Sequence, residues 1–198
     1  MMNTDDNLRD LQQRGLPAEV LLRIGAFAVR WTTFEHYFEM ALWRLNGELV
    51  EGQRPSTDTT SISRWVQDLG EPRPDLSADA NRLLSETAKA VEDLVAYRHA
   101  LFHGAPLLFD ESAVFIRNPA WFGEKRKRET SKAHVDTHLL DMALEALHAV
   151  TRVVIWAFNG AEQVHPQAVA ELTVEIRKAR LTASVLRHLD DVMNNEMS

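Results

Sequence analysis

The sequence predicts an all-α protein of four long helices and one short one, with a β-hairpin after the third helix. Three observations carry this. Gly and Pro together number only 15 of 198 residues, about two-thirds of their usual share, too few for a protein built on tight turns. Apolar residues recur at steps of three and four through most of the chain, the period of one helix face. Only one segment, after Gly104, reads with the alternation of strands. A length of 198 residues with 45% apolar content suits one domain with a single core, so residues 1–198 are taken as one unit.

The elements follow in order. Residues 1–15 are polar and acidic and are expected to be flexible. Pro17 sits where a first helical turn tolerates it. From there Val20, Ile24, Phe27, Trp31, Phe34, Phe38, Ala41 and Leu45 form a seam along a helix of about 30 residues that Gly47 ends. A polar connection at 48–59 leads to a short helix from Thr60 to Leu69. Gly70-Glu-Pro-Arg-Pro-Asp breaks it. Ser77 is a good N-cap for a helix from about Ala78 to His103, with Gly104 as its stop. Residues 105–118 then read as the hairpin, and 123–133 as a basic loop. A further helix runs from about Asp136 to Phe158 and stops at Asn159-Gly160. The last begins at Pro166, with Val169, Leu172, Ile176, Ala179, Ala183 and Leu186 inward.

Several function classes drop out by counting. The chain has no cysteine, which removes disulfides, thiolate metal sites and cysteine nucleophiles. Neither a GxGxxG fingerprint, a P-loop, a GxSxG elbow nor an HExxH helix occurs. The residues at the start lack an apolar secretory core, and no stretch reaches the roughly 20 apolar residues of a membrane span. A cytoplasmic protein with no membrane partner is the expectation. The net charge of −7 argues against a basic coat for nucleic acid. One segment departs from it: between Arg117 and His134 stand six Lys/Arg and two Asp/Glu. There Lys125, Arg126, Lys127 and Arg128, flanked by Arg117 and Lys132, are the candidate contacts to RNA phosphates.

The central motif is Tyr97-Arg98-His99-Ala100-Leu101-Phe102-His103-Gly104. Arg and His stand five apart at the end of an apolar helix, and Gly follows the His. This resembles the RxxxxH motif of the HEPN family (higher eukaryotes and prokaryotes nucleotide-binding domains), in which a polar residue usually follows the Arg, here His99. The resemblance implies an up-and-down helical bundle, commonly dimeric, and a metal-independent ribonuclease. Catalytic roles then fall to Arg98 and His103, with His99 and Glu35 in support, and no cofactor or metal is expected. It implies an RNA substrate, a homodimer and a place for an antitoxin or other protein partner, in a toxin or defence setting. HEPN toxins controlled by nucleotidyl transfer carry a tyrosine two residues after the motif His. Ala105 holds that place here, which argues against such control.

The chemistry suits these side chains. RNA cleavage at neutral pH needs an acceptor for the 2′-hydroxyl proton or a donor to the leaving 5′-oxygen, and histidine titrates in that range. A guanidinium can hold two oxygens of the charged transition state. Five helical positions turn through about 500°, so Arg98 and His103 stand roughly 140° apart on a regular helix. One helix therefore presents them poorly to one phosphate unless its last turn unwinds at Gly104; a cleft shared by two copies about a two-fold axis is the other solution, and the one the resemblance implies.

Bland alternatives stand beside this one. Arg98 pairs with Glu35, Glu39 or Glu92 and His103 merely ends a helix, leaving a non-catalytic dimerisation or adaptor module with a vestigial motif. A metal-binding bundle is the third reading. Its candidate ligands are Glu145 and His148 with Glu162 and His165, His134 with His138, or His99 and His103 with Glu92. The stripe His138, Asp141, Glu145, His148, Arg152 reads as a solvated helix face, and Trp31, Phe34 and Phe38 as core or dimer interface.

Overall fold

A computed structural model describes residues 3–109, 112–120, 122–125, 127, 130–161 and 166–189. The chain is mostly helical with one small antiparallel sheet. Helix α1 spans Thr4–Gln13, α2 Ala18–Leu45, α3 Ile62–Gly70, α4 Ala78–His103, α5 Thr137–Phe158 and α6 Pro166–Arg187. Strands β1 (Ala105–Phe109), β2 (Ser112–Arg117) and β3 (Ser131–Val135) lie in the order β1-β2-β3. No described helix is long and apolar enough to cross a membrane.

The local signals work as their chemistry requires. The Ser77 hydroxyl accepts the Ala80 N–H at 3.2 Å and starts α4. Asp136 does the same for α5, accepting from Leu139 at 2.7 Å. Gly47, at φ 62°, ends α2 in the left-handed region.

The inward seam of α2 buries Val20, Phe27, Trp31, Phe34, Phe38 and Ala41, and that of α6 buries all six residues expected of it. The first two long helices, α2 and α4, are not paired with each other. Helix α2 lies along α5, α4 along α6, and α5 against α6, while α3 packs on α4. The space between α2 and α4 is filled by rings: Phe27 meets Tyr97 edge-on at 6.2 Å and Phe102 stacked at 6.2 Å. The sheet lies against the C-terminal part of this assembly through β2 and β3, which pack on α4. Tyr97 fixes that contact, donating its hydroxyl to the His134 carbonyl of β3 at 2.9 Å. Burial, and then Asp136, raise the Tyr97 phenol well above its ordinary range, so it remains a donor.

One expectation is corrected, and two segments gain detail. The polar stretch 1–15 contains helix α1, capped by Asn3. The hairpin has a third strand: residues 131–133, placed in a basic loop, belong to β3, where Ala133 pairs with Phe115 and is fully buried. Gly104 stops α4 as expected, and it does so in an extended conformation, with φ −86° and ψ 158°. It is needed for closeness. A Cβ there would lie 2.4 Å from the Ala100 carbonyl oxygen and 2.9 Å from the Ile116 nitrogen. The chain leaves α4 and enters β1 with β2 pressed against it.

Candidate active site

The site forms where α4 gives way to β1. Arg98 is half-buried there, with its guanidinium carbon 5.9 Å from the centre of the Trp31 ring and 5.7 Å from that of Phe102. Both rings are held by others. Trp31 stacks on Phe27 at 5.8 Å and tilts on Phe34 at 5.3 Å, and Phe102 stacks on Phe27. Contacts of a cation with two aromatic faces fix the plane of the guanidinium and are worth on the order of 1 kcal/mol each.

From that seat one Arg98 nitrogen, Nη1, lies 3.3 Å from Nε2 of His103 and 3.4 Å from Nδ1 of His99. The two imidazoles tilt against each other with centres 5.6 Å apart. Three of the motif side chains therefore meet within a single chain. The expectation that one helix separates Arg98 from His103 is overturned, although α4 stays helical through His103. The angle of about 140° describes only the directions in which side chains leave the helix. A long arginine side chain runs along the axis and crosses that angle. The spacing itself thus gives no reason for a second copy.

The charge of Arg98 is left uncompensated. No ion pair among the described residues includes it, and its Nε is buried without a hydrogen-bond partner. The carboxylates proposed for it are engaged or turned elsewhere. Glu35 accepts the Trp31 indole N–H at 2.6 Å, so it orients the ring under Arg98 and does not touch the guanidinium. Glu39 accepts from the Thr57 hydroxyl at 2.6 Å. Glu92 is exposed and lines a groove on the other side of His99. A fixed cation beside two imidazoles, one of them exposed, is an arrangement that receives an anion.

The remaining candidates fall elsewhere. Lys125 and Lys127 are exposed in the connection from β2 to β3. Arg126 and Arg128 lie outside the described residues. The two ends of that connection, Arg117 and Ser131, line the groove that His99 also lines. The His134/His138 pair is split between β3 and α5, and Glu162 and His165 lie outside the described residues. Among the described residues no group of three His, Asp or Glu side chains is placed to hold a metal ion, the set Glu92, His99 and His103 included. The α5 stripe is a solvated face laced with ion pairs: Asp141 to Arg23 at 2.8 Å, Glu145 to Lys178 at 3.4 Å, and Arg152 to Glu175.

Sequence reasoning missed Phe102 and the role of Trp31. The signal was present: Phe102 stands four after Arg98, one turn along the same helix face. Comparison with protein-family models, with curated proteins and with solved structures returns no match.

Proposed function

We propose that this protein is a metal-independent endoribonuclease of the HEPN type. The observation that carries the reading is Arg98, a cation without a carboxylate partner, held between two aromatic rings with Nη1 3.3 Å from His103. In this reading a phosphodiester of RNA sits against Arg98. The 2′-hydroxyl loses its proton to a base as its oxygen attacks phosphorus. The bond from phosphorus to the 5′-oxygen breaks, and that oxygen takes a proton from an acid. His103 serves as one of the two, Arg98 holds the charge that gathers on the non-bridging oxygens, and His99 supports both. Glu35 acts at one remove, through Trp31.

The proposal includes a homodimer in which the second copy supplies the other acid or base. Support comes from α2, where Leu22 and Val29 stand exposed one heptad apart. The family resemblance adds a toxin or defence role, held in check by an antitoxin or other protein. A second reading is favoured by the same aromatic seat: Arg98 between Trp31 and Phe102 also suits a packing role in a non-catalytic adaptor.

Alanine variants at Arg98 and His103 separate the two. The catalytic reading expects both to lose RNA cleavage while keeping parental circular dichroism. Undiminished cleavage by His103→Ala refutes it.

A further inference from the structure

A groove of about 890 Å³ runs beside the motif, between α3, α4, the β2–β3 end of the sheet and the end of α6. Its floor is apolar: Val66, Ala88 and Val95 are each 7% exposed and line it. Helix α3 comes close here because Gly70 has no side chain; a Cβ would lie 3.3 Å from that of Ala88. Along its sides stand four permanent cations, Arg64, Lys89, Arg117 and Arg187, against two carboxylates, Glu71 and Glu92. In a chain of net charge −7 this gathers four cations along one groove.

Two of these cations, Arg64 and Arg117, are open to a ligand. Arg117 enters no side-chain hydrogen bond or ion pair among the described residues. Arg64 donates to the Gln67 side chain at 3.2 Å and reaches Glu71 at 3.7 Å, with the Arg64 and Glu71 side chains more than half exposed. Lys89 and Arg187 pair at the rim with Glu86 and Asp93 at 3.1 and 2.8 Å. Their carboxylates are largely covered, 20% exposed at Glu86 and 16% at Asp93, so Lys89 and Arg187 stay paired and the phosphate contacts fall to Arg64 and Arg117. His99 also lines the groove, and the same His99 ring lies 3.4 Å from the Arg98 guanidinium. The groove therefore touches the motif at His99.

We propose that this groove carries the single-stranded RNA that flanks the cleaved phosphate, bases against the apolar floor and phosphates on Arg64 and Arg117, with His99 as the point of entry to Arg98 and His103. A single strand fits because it offers base faces and phosphates together, whereas a duplex hides its bases. The inference rests on the ribonuclease reading for its orientation, but the binding it asserts is measured without cleavage.

The test uses a fluorescein-labelled, 2′-O-methylated oligoribonucleotide, which lacks the attacking hydroxyl. Binding is followed by anisotropy across a salt series, on the parent protein, Arg64→Gln/Arg117→Gln and His103→Ala. We expect the double variant to bind at least tenfold more weakly and its slope of log affinity against log salt to fall by about 1.4, at about 0.7 per lost contact. The His103→Ala protein should still bind. Parental affinity and slope in the double variant overturn the proposal, as does a parent that binds adenosine monophosphate but not the oligonucleotide. Loss of binding in the double variant, together with a parent that never cleaves RNA, leaves the groove standing and refutes the ribonuclease reading alone.

Discussion

Replacing Gly104 by Ala tests how the motif helix is joined to the sheet. At φ −86° the backbone suits any residue, so the effect is purely one of space. The new Cβ would meet the Ala100 oxygen at 2.4 Å, the Ile116 nitrogen at 2.9 Å and the Ile116 carbonyl carbon at 3.0 Å. All three are backbone atoms that cannot turn aside. Either α4 or β2 must shift, and β2 is held by pairing on both sides, with β1 and β3. Overpacking typically costs about 1–3 kcal/mol, and immovable neighbours put this site at about 3. For a chain of this size that lowers the melting temperature by about 6–12 °C. The control is Gly25→Ala. Gly25 lies inside α2, and nothing stands within 4 Å of the place its Cβ would take. That change should stabilise by about 0.5–1 kcal/mol, because a helix interior favours Ala. Thermal melts by circular dichroism read both. A Gly104→Ala protein melting within about 2 °C of the parent would refute the close approach as the reason for glycine here.

Other expectations concern stability and assembly. Tyr97→Phe removes the bond donated to the His134 carbonyl and should cost about 1 kcal/mol in urea unfolding, with an unchanged slope against denaturant. Partial desolvation pushes the Glu86 carboxyl up, but bonds from Arg180 and Lys89 outweigh it and hold the group below its ordinary value of 4.5. A depressed carboxylate stabilises above its unfolded pKa and loses that contribution as pH falls through the folded one. Glu86→Gln should therefore lower stability by up to about 1 kcal/mol at pH 7 and by nothing measurable once Glu86 is protonated; a deficit that persists in acid contradicts this. Sedimentation at micromolar concentration should show a dimer, and Leu22→Glu/Val29→Glu should give a monomer.

The long helices were legible because burial leaves a periodic trace. The seam of α2 and the six inward residues of α6 stand in the core as the period requires. Helix α1 left little trace, since its residues include only Leu8 and Leu11 as apolar side chains and none of the ten is buried. Strand β3 was hidden for another reason. Ser131-Lys-Ala-His-Val buries only Ala133 and Val135, and the strand is made by its partner. At the site, the identity of Arg98, His99 and His103 was readable from spacing and the glycine that follows. Their meeting was not. An angular wheel records where side chains begin, not how far an arginine reaches. The groove escaped notice because its cations come from α3, α4, β2 and α6, positions separated by long stretches of sequence and joined only by folding.

The most direct test of the central claim is incubation of the purified protein with mixed RNA in the presence of EDTA, beside the Arg98→Ala and His103→Ala proteins. The account predicts cleavage by the parent that EDTA leaves unchanged and that both variants lack. Intact RNA with the parent, or cleavage that EDTA abolishes, would contradict it.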